Sequence, residues 1–176
     1  MKTREKLVEL INSKGLLGNA IEIGVAEGSF ANHNIKNWNG DKYFMVDPWT
    51  RYAGYNDLLD RNDEILENQF MDVAKKYLLD HRTQIVRTTS LHAAQLFPDN
   101  FFDWIYIDAN HQYEFIRDDI DAWFPKCRSG GCFSGHDYKS ESGFGVIRAV
   151  DDFVKKNDLE LNLTDDDYKI WWIWKP

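Results

Sequence analysis

Five short apolar runs, each followed by a stretch of helical periodicity, constrain this chain more than any other feature. They cover residues 20–23, 42–46, 84–86, 102–107 and 130–134, and polar or glycine residues stop each of them. Such runs are too short for buried helices and suit strands covered on both faces. Leu7, Leu10, Ile11, Leu16 and Leu17 mark a leading helix before the first run. Residues 52–81 are polar and helix-compatible, with Leu58, Leu59, Ile65, Leu66, Phe70, Val73 and Tyr77 as the apolar side. Further helices are expected over 91–96 and 114–124, and from Val146, Ile147, Val150, Phe153 and Val154 at three-to-four spacing. Strands alternating with helices predict a doubly wound α/β fold, its sheet mostly parallel and covered by helices on both faces. At the C-terminus, residues 161–163 and 168–174 flank Asp165-Asp166-Asp167, which predicts a closing antiparallel hairpin and seven strands in all. Tyr168, Ile170, Trp172 and Trp174 share one face of its last strand and Trp171 and Ile173 the other, so that strand belongs inside the sheet. Neither a repeat nor a Pro/Gly/Ser-rich linker divides residues 1–176, which predicts a single domain.

Composition excludes several function classes. With 43% hydrophobic and 15% aromatic residues the chain is expected to fold rather than stay disordered. No run approaches the roughly 18 apolar residues needed to cross a bilayer, and the N-terminus lacks the apolar region of a signal peptide. Cys127 and Cys132 are too few for a disulfide framework and predict free thiols in a reducing cytoplasm. A net charge of −8, with no Lys/Arg cluster, argues against nucleic acid and for a small or neutral partner.

Ligands of doubly wound sheets bind outside the carboxyl ends of the strands, and every polar motif of this chain lies just after one. The stretch Glu22-Ile-Gly24-Val-Ala-Glu-Gly28-Ser29 opens a helix that Ser29 or Asn32 would cap. It lacks the GxGxxG spacing of dinucleotide sites, which argues against a nicotinamide oxidoreductase. It resembles the first motif of class I S-adenosylmethionine-dependent methyltransferases, with Ala26 in place of the middle glycine. Asp47 follows Gly24 by 23 residues, close to the roughly 20 expected of an acid that holds ribose hydroxyls. A structural turn followed by a helix-capping Asp is the plainer alternative. Ser90, after the third run, is placed either to meet the adenine edge or to cap a helix.

The segment Phe102-Asp-Trp-Ile-Tyr-Ile-Asp108-Ala-Asn-His111 ends a buried strand on a carboxylate, with an imidazole three residues later. Gly130-Gly-Cys-Phe-Ser-Gly-His136-Asp137-Tyr138 sets two more polar groups after the next strand. Adjacent parallel strands would bring Asp108, His136 and Asp137 together. These segments are similar to those of metal-dependent macrolide-sugar O-methyltransferases and cephalosporin-hydroxylase-like proteins, over residues 20–138. That group carries an acidic pair about 28 residues after the acid of its fourth strand, and here His136 follows Asp108 by 28. The resemblance implies a sheet of the Rossmann-like methyltransferase type and sugar O-methylation. It implies Glu22, Gly24, Gly28, Ser29, Asp47, Ser90 and Asp108 as the S-adenosylmethionine contacts. It further implies a divalent metal, Mg or Mn, on Asp108, His136 and Asp137, and His111 as general base beside Asp108. A bound cation lowers the pKa of an acceptor hydroxyl, and a neutral imidazole removes its proton. His136 stands where the group has an acid, and imidazole suits manganese, iron, nickel or zinc better than magnesium.

The plain readings stand beside these. His33, His81 and His92 lack acidic company and read as structural. Trp49, Tyr52, Tyr55 and Tyr138 either line an acceptor pocket, since flat rings suit sugar faces, or fill the core. A catechol-type enzyme with an aromatic acceptor and a non-catalytic S-adenosylmethionine-binding module remain alternatives. The sequence leaves self-association into a homo-oligomer open, as it does the identity of the acceptor.

Overall fold

A computed structural model of the chain describes residues 3–52, 62–139, 145–165, 167 and 169–176. Expectations that fall on Tyr55, Leu58, Leu59 and Tyr168 lie outside the described residues. Seven strands form one sheet in the order β3-β2-β1-β4-β5-β7-β6. They are β1 (Asn19–Ile23), β2 (Lys42–Asp47), β3 (Thr83–Arg87), β4 (Phe102–Ile107), β5 (Cys127–Gly135), β6 (Asn162–Leu163) and β7 (Trp171–Trp174). The first five are mutually parallel, while β7 runs antiparallel to both β5 and β6. The expected doubly wound sheet with its antiparallel C-terminal strands is therefore present. The order reverses beside β1, where one crossover series leads outward through β2 and the other through β4. That reversal opens a crevice at the carboxyl ends of the strands.

Among the described residues α1 (Leu7–Ser13) precedes β1, and five α-helices connect strands: α2 (Ser29–Asn37), α3 (Asp63–Tyr77), α4 (Ser90–Ala94), α5 (Tyr113–Trp123) and α6 (Val146–Asn157). The strands are apolar on both faces because each face carries its own core. Ala20, Tyr43, Met45, Trp104, Tyr106 and Trp172 pack under α1, α2 and α3. Ile21, Ile23, Ile105, Ile107, Phe133, Trp171 and Ile173 pack under α4, α5 and α6. The tryptophans of β7 thus divide between the layers as their alternation predicts. Trp38, Tyr43 and Trp104 meet edge to face, with centroids 6.0–6.3 Å apart, an arrangement that adds about 0.5–1.5 kcal/mol per pair beyond burial. Among the described residues no helix is long and apolar enough to cross a membrane.

Differences from the expected boundaries have local causes. Ser29 and Asn32 do not cap α2; Gly28 takes that position with φ +78, and Ser29 is the first helical residue. Within the described part of the 52–81 stretch a helix runs over Asp63–Tyr77, and Asn62 starts it by accepting the Ile65 N–H. Helix α4 stops before Leu96, which is 65% exposed and two residues short of Pro98. Strand β5 begins at Cys127, earlier than its apolar run, because a register shift between Phe102 and Trp104 admits the extra residues.

The amino end of the sheet is tied by one acid. Asp103, nearly buried, accepts the Gly18 amide at 2.8 Å and the Arg128 guanidinium at 2.5 Å, joining the entry to β1 with β4 and β5. Asp103→Ala leaves a part-buried amide and the Arg128 guanidinium without their partner and is expected to cost about 1–3 kcal/mol. Urea unfolding should show a lower midpoint at unchanged slope; an unmoved midpoint would contradict this account of Asp103.

Candidate functional site

The turn after β1 is shaped by an acid from the neighbouring strand. Val25 and Ala26 both donate their amides to Asp47 Oδ2 at 2.9 Å. The Trp49 amide donates to Asp47 Oδ1 at 2.8 Å, and the Trp49 indole N–H returns to the Ala26 carbonyl at 2.8 Å. This clasp holds Ala26 (φ +49) and Trp49 (φ +43) in the left-handed region, a conformation that costs a non-glycine residue about 1–3 kcal/mol. Gly24, at φ +88, lies against β4 so closely that a Cβ would stand 2.1 Å from the Asp108 carbonyl oxygen. The amide of Asp108 in turn donates to the Ile23 carbonyl at 2.8 Å, locking the ends of β1 and β4 together.

Above these ends lies a cleft of about 270 Å³. Ile23, Val46, Leu91 and Phe115 supply apolar walls, and Asp47, Asp108, Asp118 and Asp119 bring carboxylates to it. Of the expected cofactor residues, Gly24, Asp47, Ser90 and Asp108 line the cleft together with Ala26. Glu22, Gly28 and Ser29 are not brought to it. Glu22 points to the opposite face of β1, is 2% exposed, and accepts the Tyr43 hydroxyl proton at 2.6 Å. Burial pushes its carboxyl up to about 8. Gly28 shapes the start of α2, and Ser29 bonds Glu27 instead. Tyr52 lines the cleft, whereas Trp49 is buried in the clasp and Tyr138 donates to Asp151.

Ser90 is committed within the protein. Its hydroxyl donates to Asp119 Oδ1 at 2.5 Å and accepts the Trp123 indole N–H at 2.8 Å. Asp119 is a cleft residue that the sequence reading missed. Its signal was a carboxylate on the apolar stripe of α5, among Ile116, Ile120 and Trp123.

At the other end of the cleft, Asp108 enters a cluster with His111, His136 and Asp137. Ile107 pairs with Gly135, and the His136 amide donates to the Ile107 carbonyl, so the ends of β4 and β5 present these groups side by side. His111 Nε2 lies 2.8 Å from Asp137 Oδ2 and 3.8 Å from Asp108 Oδ1. His136 Nδ1 lies 3.2 Å from Asp137 Oδ2 and 3.6 Å from Asp108 Oδ1. Lys139 Nζ adds a cation 3.4 Å from Asp137 Oδ1. Asp137 itself takes φ +54, a third strained residue near the site.

The donor set suits a divalent transition metal. Ligand atoms of Asp108, His111 and Asp137 all lie within 4.8 Å of one another, and mixed oxygen and imidazole ligation favours such ions. The expected trio had His136 in place of His111; the geometry puts His111 inside the group and His136 against its edge. Burial lowers both imidazole pKa values, but hydrogen bonds to and charges on Asp108 and Asp137 outweigh it. His111 is raised to about 10 and His136 to about 9. Despite its burial, hydrogen bonds with His111 and His136 and their charges hold Asp137 well below the usual carboxylate range. In chelator-treated protein both imidazoles should therefore carry protons at neutral pH. Their stabilising effect is full below the unfolded value of about 6.5 and is lost as pH rises through 9 to 10. Proton NMR of the ring C–H groups should give midpoints in that alkaline window; midpoints near 6.5 would contradict the pairing.

A family model described as a methyltransferase domain matches residues 21–138. No curated protein sequence matches the chain significantly. Among solved structures, the O-methyltransferase NovP is 19% identical with a TM-score of 0.67, covering 98% of this chain and 78% of its own. An O-methyltransferase family protein from Burkholderia thailandensis is 10% identical with a TM-score of 0.69, covering 97% and 55%. Spermidine synthase from Thermotoga maritima is 15% identical with a TM-score of 0.65, covering 98% and 60%. At such identities the likeness establishes the fold, which hosts more than one reaction. The family match spans the glycine turn, Asp47, Asp108 and the His136-Asp137 pair, and on it the chain belongs to the methyltransferase-domain family.

Proposed function

We propose that this protein moves a methyl group from S-adenosylmethionine to a hydroxyl of a small acceptor, a sugar or glycan, with a divalent metal assisting. The observation that carries the reading is the double membership of Asp108, which both walls the cleft and anchors the imidazole–carboxylate cluster. Cofactor site and proton-handling site therefore share one residue. When bound, S-adenosylmethionine supplies an electrophilic methyl on a sulfonium cation. A divalent cation supplies charge that acidifies the acceptor hydroxyl and displaces protons from neighbouring imidazoles.

The chain's own groups do the rest. Apolar walls at Ile23, Val46 and Leu91 accept a flat base and exclude water, and Asp47 accepts from ribose hydroxyls at the end of β2. The carboxylate of Asp108, which lines the cleft, would offset the charge of the bound sulfonium. His111 receives the acceptor proton through its ring nitrogen. Asp108, Asp137 and His136 would hold the metal, and the imidazole would make manganese, iron, nickel or zinc the preferred ions over magnesium. The acidic balance of the chain, net −8, supports a small neutral acceptor over nucleic acid. Buried free thiols at Cys127 and Cys132 suit a reducing cytoplasm. A second arrangement, His111 as the metal ligand, is favoured by the compact group it forms with Asp108 and Asp137.

His111→Ala separates these readings. A general base is expected to leave S-adenosylmethionine and manganese affinities within about twofold while methyl transfer to hydroxylated sugars falls roughly 10²–10⁴-fold. Loss of manganese affinity by about tenfold or more would assign His111 to the metal instead. Unchanged turnover would remove it from both roles.

A further inference from the structure

Asp119 stands where an amphipathic helix normally places an aliphatic side chain. It shares the buried face of α5 with Ile116, Ile120 and Trp123 and is 4% exposed, yet it lines the cleft beside Thr89, Ser90 and Leu91. One of its oxygens is satisfied: Oδ1 accepts the Ser90 hydroxyl, which is itself oriented by the Trp123 indole N–H. Among the described residues Oδ2 accepts no hydrogen bond, and Asp118, the neighbouring charge, only repels. A largely buried carboxyl gains from donors on both oxygens, and because Asp119 lines the cleft, a ligand seated there can supply the second one. The hydroxyl of Ser90 cannot provide a second one, because its single proton is already given to Oδ1.

The position of Asp119 identifies that donor. Asp108 marks the β4 end of the cleft and Asp47 the β2 end, so a ligand reaching from the reacting group through its ribose extends next toward α4, the element after β3. Resting on the S-adenosylmethionine reading above, we infer that Asp119 reads the exocyclic amine of the cofactor's adenine through Oδ2, and that Ser90 serves to orient it. The site thereby selects an amino-purine over a purine carrying a carbonyl at the same place, where two oxygens would face each other. Burial pushes the Asp119 carboxyl up to about 7, which is consistent with a group short of one N–H donor.

The test is calorimetric binding of S-adenosylhomocysteine and S-inosylhomocysteine, whose exocyclic amine is replaced by oxygen, to the whole protein and to Asp119→Asn, at a pH above about 8 where the Asp119 carboxyl is ionised and cannot donate. The unaltered protein is expected to prefer the adenosyl form by at least about tenfold. In Asp119→Asn the side-chain amide can turn its N–H₂ toward the inosyl oxygen, so the ratio should fall toward one while the melting temperature stays close to that of the parent. Equal binding of both ligands by the unaltered protein would overturn the inference without any variant. So would an Asn variant that loses affinity for both ligands in the same proportion, the mark of a purely structural acid. Binding of neither ligand by the unaltered protein would instead overturn the cofactor reading on which the inference rests.

Discussion

Gly24 ends β1 against the carbonyl of Asp108, at a separation that leaves no room for a side chain. The contact does more than pack two strands. It sets the height of the glycine turn relative to the end of β4, and so fixes how far the cleft lies from the Asp108 carboxylate. The amide of Asp108 on Ile23 and that of His136 on Ile107 carry the same alignment one strand further. Three parallel strand ends are thus held level, and the groups that follow them have only short loops in which to diverge. A residue larger than glycine at position 24 would part the strands where the chemistry of the site is assembled.

On that platform, three of the five left-handed non-glycine residues among the described ones lie in the polar loops of the site. Ala26, Trp49 and Asp137 all take left-handed conformations, and all lie on loops that build the cleft or the cluster. Their cost is offset locally, by the Asp47 clasp for the first two and by the paired imidazoles for the third. Asp47 therefore does two things at once. Its carboxylate already holds the turn through three amides, so a ribose that approaches it meets an ordered acceptor rather than a mobile one. The cluster at the other end is electrostatically tight in a different way, because its two carboxylates keep its two imidazoles protonated until another cation competes.

Hydrophobic periodicity carried most of the fold. Residues 102–107 read as a buried strand from their apolar run and are one, and the alternating tryptophans of the last strand divide between two cores as their spacing requires. The acids at 47 and 108 were legible as cleft residues because doubly wound sheets open their crevices at strand ends. Residues whose role depends on which face of a strand or turn they occupy were harder to read. Glu22 follows the alternation of β1 into the core, Ser29 falls one place inside its helix, and Trp49 is consumed by the turn it was expected to flank. Asp119 was invisible for a related reason. A carboxylate on an apolar stripe looks like a break in the pattern until the helix is seen beside Ser90.

The most direct test of the account is a crystal structure of the protein with S-adenosylhomocysteine and manganese. The account predicts the ribose hydroxyls at Asp47, the sulfur on the Asp108 side of the cleft, and density for an ion at Asp108 and Asp137. A nucleoside bound elsewhere, or a sulfur turned away from Asp108, would contradict it.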